Sequence, residues 1–128
     1  AMTDVTGFGL LGHLVEMCEG SQVSAVINFD QVPLITPQIY DYIAKKSIPG
    51  GTGRNLKAYG HHIAVTSSDN ETILNILADP QTSGGLLIAV KPSDVDQLTS
   101  TLAHFGLESF AQPIGYLTKQ GDSLISVL

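Results

Sequence analysis

This sequence is poor in several things that would narrow its role, and each shortage excludes something. It has one cysteine, Cys18, so no internal disulfide can form, and a reducing cytoplasm is the expected compartment. It has six Lys+Arg against twelve Asp+Glu, a formal net charge of -6. The only basic cluster is Lys45-Lys46. Nucleic-acid binding normally calls for a positive face that neutralises phosphates, and none is legible here. No apolar run approaches the roughly 18 residues that a membrane span requires, and no signal peptide is visible. Tyr40, Tyr42, Tyr59 and Tyr116 are scattered and form no base-stacking row. His61 and His62 are adjacent, and strand neighbours point to opposite faces, so they do not readily share a metal. His13 and His104 lack Cys or His partners at ligand spacing and read as surface or capping residues, and no Ser-His-Asp arrangement suggests itself.

What is present is an apolar chain with polar glycine segments. Hydrophobic residues make up 43% and charged residues 14% of the 128. That length predicts one domain, residues 1–128, able to bury roughly two-thirds of its unfolded surface. The apolar excess implies a dense core or a face reserved for another domain or subunit. The first glycine segment begins within a few residues of Ala1, which points to a fragment of a longer protein.

Periodicity predicts a helix over 7–19, with Phe8, Leu11, Leu14, Val15 and Cys18 on one face, Thr6 as its N-cap and Gly20 as its stop. Cys18 thereby reads as core packing. A strand is predicted over 22–29 and a second helix over 36–46, capped by Thr36 with Pro37 in its first turn. A loop follows from Ser47 to about Arg54, then a short turn and a strand around His62 to Val65. Residues 69–78 predict a helix capped by Asp69 or Asn70. Leu86 to Val90 predicts a continuous, central apolar strand. Residues 93–105 predict a helix capped by Ser93 and ended by Gly106. The end of the chain predicts a hairpin closing across Gln120-Gly121-Asp122. The class is mixed α/β.

Three segments carry the chemistry. Asp79-Pro80-Gln81-Thr82-Ser83-Gly84-Gly85 sets a carboxylate, two hydroxyls and two glycines before an apolar strand, one way to present backbone to a phosphate. A ligand-free helix-to-strand turn would look the same. Pro49-Gly50-Gly51-Thr52-Gly53-Arg54-Asn55 could wrap a phosphate with Arg54 as a forked donor. It is equally a mobile loop, since its glycines carry a large ordering cost. Thr3-Asp4-Val5-Thr6 places a carboxylate between hydroxyls before a helix. Asp4 suits Mg²⁺, which prefers hard oxygen ligands, or simply the helix dipole. Gly7 to Gly12 spells G-x-G-x-x-G, but no buried strand of adequate length precedes it, as a dinucleotide fold demands.

Taken together, TDVTGFGLLGHL, PGGTGRN and DPQTSGGLL resemble, in order and rough spacing, the C-terminal domain of the selenophosphate synthetase family, within the aminoimidazole ribonucleotide synthetase superfamily. The resemblance runs from Thr3 to about Gly115. It implies an α/β (α+β) domain, a mixed sheet with helices on both faces and partial ferredoxin-like topology. It implies an enzyme that converts ATP, selenide and water to selenophosphate, AMP and phosphate with Mg²⁺. It implies that Asp4 reaches a nucleotide-bound metal. Thr3, Thr6, Gly50, Gly51, Thr52, Arg54, Asn55, Asp79, Thr82, Ser83, Gly84 and Gly85 would then face the nucleotide or its cleft. The same resemblance implies that the nucleophile and most metal ligands lie in an N-terminal, ATP-binding domain outside this chain. No catalytic residue is then expected within it, the isolated piece should be inactive, and the full-length protein would be a homodimer. Two alternatives stay open on the residues alone. One is a sister ATP-dependent enzyme of the superfamily (a purine synthetase, a thiamine-phosphate kinase or a hydrogenase-maturation protein). The other is a non-catalytic interaction module.

Overall fold

A computed structural model describes residues 1–128. The elements run β1 (Met2–Asp4), α1 (Gly9–Ser21), β2 (Val23–Ile27), α2 (Ile39–Ala44), α3 (Gly50–Tyr59), β3 (Ile63–Val65), α4 (Asn70–Leu77), β4 (Leu86–Ile88), α5 (Val95–His104), β5 (Gly115–Lys119) and β6 (Ile125–Val127). The class is α/β, as expected. One mixed sheet has the strand order β3-β6-β2-β5. There β2–β6 and β3–β6 are parallel, and β2–β5 is antiparallel. A separate antiparallel ribbon joins β1 to β4.

The core forms where α1 lies on the larger sheet. Spacings of three and four bring Leu11, Leu14, Val15 and Cys18 to the buried face of α1. They join Ala25 and Ile27 of β2, Ile125 and Val127 of β6, and Ile73 and Leu77 of α4 in one apolar cluster. Cys18 is fully buried, and that burial pushes its thiol up, as suits a residue used for packing.

Several local expectations change. Gly20 does not stop α1. The helix continues to Ser21, and Gln22 ends it in the left-handed region (φ 55), its N–H bonding to the Cys18 and Glu19 carbonyls. Thr6 is not the helix cap; Phe8 holds that position without a side-chain bond. The second helix is shorter than predicted, and the Thr36 hydroxyl instead accepts the Gln38 N–H at 3.3 Å. Ser93 lies in a 3₁₀ turn before α5, its hydroxyl donating to Asp94 at 2.9 Å.

Three of the differences are topological. The strand expected at the centre, β4, pairs only with β1, and Leu86 is 61% exposed. The two closing strands form no hairpin, because β2 lies between them. The connection crosses the end of β2, pinned by Ser24. Its hydroxyl accepts the Gly121 N–H and donates to the Ser123 carbonyl. The loop expected from Ser47 to Arg54 is the start of α3, entered through Pro49. Its glycines are helical because two neighbouring segments hold the turn in place.

Candidate functional site

The three polar glycine segments, far apart in sequence, pack on one another. The ladder between β1 and β4 places Asp4 opposite Leu86. It runs on past the strands: the Val5 N–H donates to the Gly85 carbonyl at 2.8 Å and the Gly84 N–H to the Val5 carbonyl at 3.1 Å. One residue further, the Gln81 N–H donates to the Thr6 carbonyl at 3.0 Å. Segments 3–13 and 79–85 are thereby zipped backbone to backbone. Alternation along the ribbon turns Leu87 into the core and sets Asp4 on the other face with Met2, Leu86 and Ile88. Asp4 is exposed, and its carboxylate enters no hydrogen bond or ion pair within the chain.

The third segment is the first turns of α3, and its inward face is polar. Thr52, Asn55 and Tyr59 are its buried residues, at spacings of three and four that put them on one side. The Thr52 hydroxyl donates to Asp79 Oδ1 at 3.5 Å. Asn55 Nδ2 donates to the Gly7 and Ala78 carbonyls, both at 2.9 Å. The Tyr59 hydroxyl donates to the Phe8 carbonyl at 2.5 Å. Two glycines make this closeness possible. A Cβ on Gly51 would stand 2.7 Å from Pro80 Cγ. A Cβ on Gly9, whose φ is +70, would stand 2.7 Å from the Ala78 carbonyl carbon.

Two titratable groups besides Tyr59 sit in the joint. His13, expected on the surface or in a capping role, is buried. Its Nε2 accepts the Thr6 N–H at 2.9 Å and faces the Thr6 hydroxyl at 3.1 Å. Accepting a backbone N–H requires a lone pair on Nε2, so the neutral ring carries its proton on Nδ1, which lies 3.7 Å from Glu16 Oε2. Asp79 is half-buried. Burial pushes its carboxyl up, and hydrogen bonds from Thr52 and Gln81 offset part of that rise. The Gln81 amide donates to Asp79 Oδ2 at 3.0 Å.

The sequence-derived candidates therefore fall into two sets. Asp4, Gly50, Arg54, Thr82, Ser83, Gly84 and Gly85 are exposed; Thr3, Thr6, Gly51 and Asp79 are half-buried. Thr52 and Asn55 are buried, and their polar atoms tie the segments together. Tyr59 and His13 were not singled out as joint residues by sequence. The signal for Tyr59 was its helical spacing from Thr52 and Asn55, hidden because that stretch read as a loop. A cleft of about 180 Å³ between Ile39, Tyr42, Ile43, Ile48 and Pro49 ends on Asp79.

Asp4 can supply one hard oxygen to a divalent cation. No three His, Cys, Asp or Glu of the chain group closely enough to hold a metal by themselves. A lone exposed carboxylate has the chemistry of one ligand and not of a whole site.

Comparison with known proteins agrees with the sequence resemblance. Residues 1–127 match the family model described as AIR synthase related protein, C-terminal domain. The selenide, water dikinase of Photorhabdus laumondii is 50% identical over 129 residues, 99% of this chain and 35% of that protein. That of Bordetella bronchiseptica is 48% identical over 128 residues, 100% of this chain and 36% of that protein. That of Haemophilus influenzae (strain 86-028NP) is 46% identical over 127 residues, 99% of this chain and 35% of that protein. The chain spans 35–36% of these relatives' length. With a match that runs almost end to end, the chain belongs to the AIR synthase related protein family, as its C-terminal domain.

Proposed function

We propose that this chain is the C-terminal domain of a selenide, water dikinase that converts ATP, selenide and water to selenophosphate, AMP and phosphate. The observation that carries the reading is the joint itself. Three segments that resemble the enzyme family by sequence converge in space, with Asp4 exposed and uncommitted on a ribbon whose second strand follows Gly84-Gly85. The relatives at 46–50% identity, each a selenide, water dikinase, support it.

In this reading Asp4 is one ligand to Mg²⁺ held mainly by an N-terminal domain outside the chain. Bound there, the cation would spread the charge that develops on transferring phosphoryl groups. The chain's own residues position and exclude. Thr82, Ser83, Gly84 and Gly85 present hydroxyls and backbone to the cleft, and Arg54 offers a planar donor to phosphate. Gly50 and Gly51 open the start of α3, and Thr3 and Thr6 flank Asp4. Asp79 lines the rear of the same joint. A net charge of -6 repels triphosphate, so this domain relies on its partner domain and on the cation for charge balance. The nucleophile lies outside the chain, and the whole protein acts as a cytoplasmic homodimer. No helix here is long and apolar enough to cross a membrane.

The deciding experiment supplies the full-length protein with ATP, selenide and Mg²⁺. AMP formation that depends on both selenide and Mg²⁺ is expected. ADP in place of AMP, formed without any need for selenide, would assign the chain to a sister enzyme of the superfamily. No ATP consumption at all would leave an interaction module. The isolated 128-residue piece is expected to be inactive under the same conditions.

A further inference from the structure

We propose that Asn55 is a positioning residue: from α3 it fixes the segment carrying Asp4 to the segment 79–85, and so sets the position of the Asp4 carboxylate in the site proposed above. Its role in turnover rests on that functional reading. Its role as the tie does not.

The geometry is specific. A primary amide has two N–H donors, and Asn55 spends both on backbone carbonyls of different segments, Gly7 and Ala78, each at 2.9 Å. Two carbonyls facing one nitrogen also fix which way the amide points, since the oxygen would repel both. Asn55 and Ala78 are buried, and replacing Asn55 would leave the Ala78 carbonyl without this partner where water has little access. Gly7 stands three residues after Asp4, and Ala78 precedes Asp79 directly. The flanking ties of α3 run in the same two directions, Thr52 to Asp79 and Tyr59 to Phe8. Asn55 is the one residue of that face that grips both sides. Arg54, next to it, points away and is exposed. The adjacent pair therefore divides, one side chain toward solvent and one toward the joint.

The test compares full-length native protein with Asn55→Ala, Asn55→Asp and Val65→Ala. Val65 sits on β3, which pairs only with β6, so its truncation loosens packing away from the joint. Hydrogen exchange should accelerate about tenfold in peptides covering 3–13 and 79–86 of Asn55→Ala, as expected for losing buried hydrogen bonds. Val65→Ala should leave those peptides unchanged. The Mg²⁺ concentration for half-maximal rate should rise about tenfold in Asn55→Ala, the scale of losing an orienting partner of a metal ligand. It should not move in Val65→Ala. Asn55→Asp keeps the shape but removes the paired donors, and should match or exceed Asn55→Ala on both readouts. Asn55→Ser keeps one donor and should fall between, and it replaces Asn55→Ala if that variant does not accumulate folded. Native-like exchange in Asn55→Asp, or equal exchange in Asn55→Ala and Val65→Ala, would overturn the proposal. So would an unchanged Mg²⁺ requirement in an active protein. If the native protein shows no Mg²⁺-dependent AMP formation, the functional reading fails, and exchange alone decides the role of Asn55.

Discussion

Two regions of this domain are built on opposite principles. Between α1 and the larger sheet, Leu11, Leu14, Cys18, Ile125 and Val127 are held by non-directional burial of apolar surface. Between α3 and the segments 3–13 and 78–85, Thr52, Asn55 and Tyr59 are held by directional hydrogen bonds, chiefly to backbone, and His13 is held the same way within the first of those segments. The apolar region sets whether the chain folds. The polar joint sets where a few exposed groups stand relative to one another. Burial tolerates small displacements, whereas a hydrogen bond weakens steeply with distance and angle. The joint, made of hydrogen bonds, therefore fixes the register of its segments more closely than the apolar region could.

Substitutions can break this contrast or sharpen it. The largest effect on stability is expected from Leu11→Ala in the apolar region, which is fully buried. It should cost about 2–5 kcal/mol, read by urea denaturation of the full-length protein, with Mg²⁺ dependence of the remaining folded enzyme unchanged. A loss below about 1 kcal/mol would deny that α1 anchors the core. Asp4→Ala should do the reverse. It should lower activity on the order of 100-fold, the scale of removing one group that stabilises developing charge. Stability should shift by no more than about 0.5 kcal/mol, because the residue is exposed. An unchanged rate and metal requirement would remove Asp4 from the site.

Tyr59→Phe takes a single bond from the joint and keeps the ring. Burial pushes the Tyr59 hydroxyl up to about 12, so it remains a neutral donor at any working pH. Its loss should cost about 1 kcal/mol, with the larger consequence in exchange of the Phe8 region; equal loosening of β6 would mean the joint and the core are one unit. The smallest effect belongs to Asp79. Its folded carboxyl is raised by burial, so the folded state holds a proton more tightly than the unfolded chain does. The contribution of Asp79 to stability therefore falls as pH climbs from the ordinary carboxylate value through the raised one. Asp79→Asn should flatten the urea midpoint over that window. An identical pH profile in both proteins would show that the carboxyl is more solvated than its position implies.

Some of this was legible from residues alone. Periods of three and four marked α1, α4 and α5 because an apolar stripe must face a core wherever that core lies. The strand around Val23 to Ile27 was visible through its alternation. The three glycine segments stood out by composition, and their order carried the family resemblance that the comparisons bear out. The start of α3 was not legible. Gly50, Gly51 and Gly53 have low helix propensity, and the contacts that Thr52 and Asn55 make with Asp79, Gly7 and Ala78 are tertiary, so no local pattern announces them. The closing strands read as a hairpin because their turn is short, yet both pair with β2. The apolar run at Leu86 to Val90 read as central because composition cannot count neighbours.

The sequence by itself determined which residues seek the interior and which segments carry carboxylates, hydroxyls and glycines, since hydrophobic periodicity and side-chain chemistry are local properties. Only the tertiary structure decided that Thr52 and Asn55 turn inward as ties while Asp4 and Arg54 stay outside. It also decided that Gly7, Asn55 and Ala78 meet at all. The reason is physical: a hydrogen bond between segments fifty residues apart depends on where the chain returns to, and no local preference encodes that return.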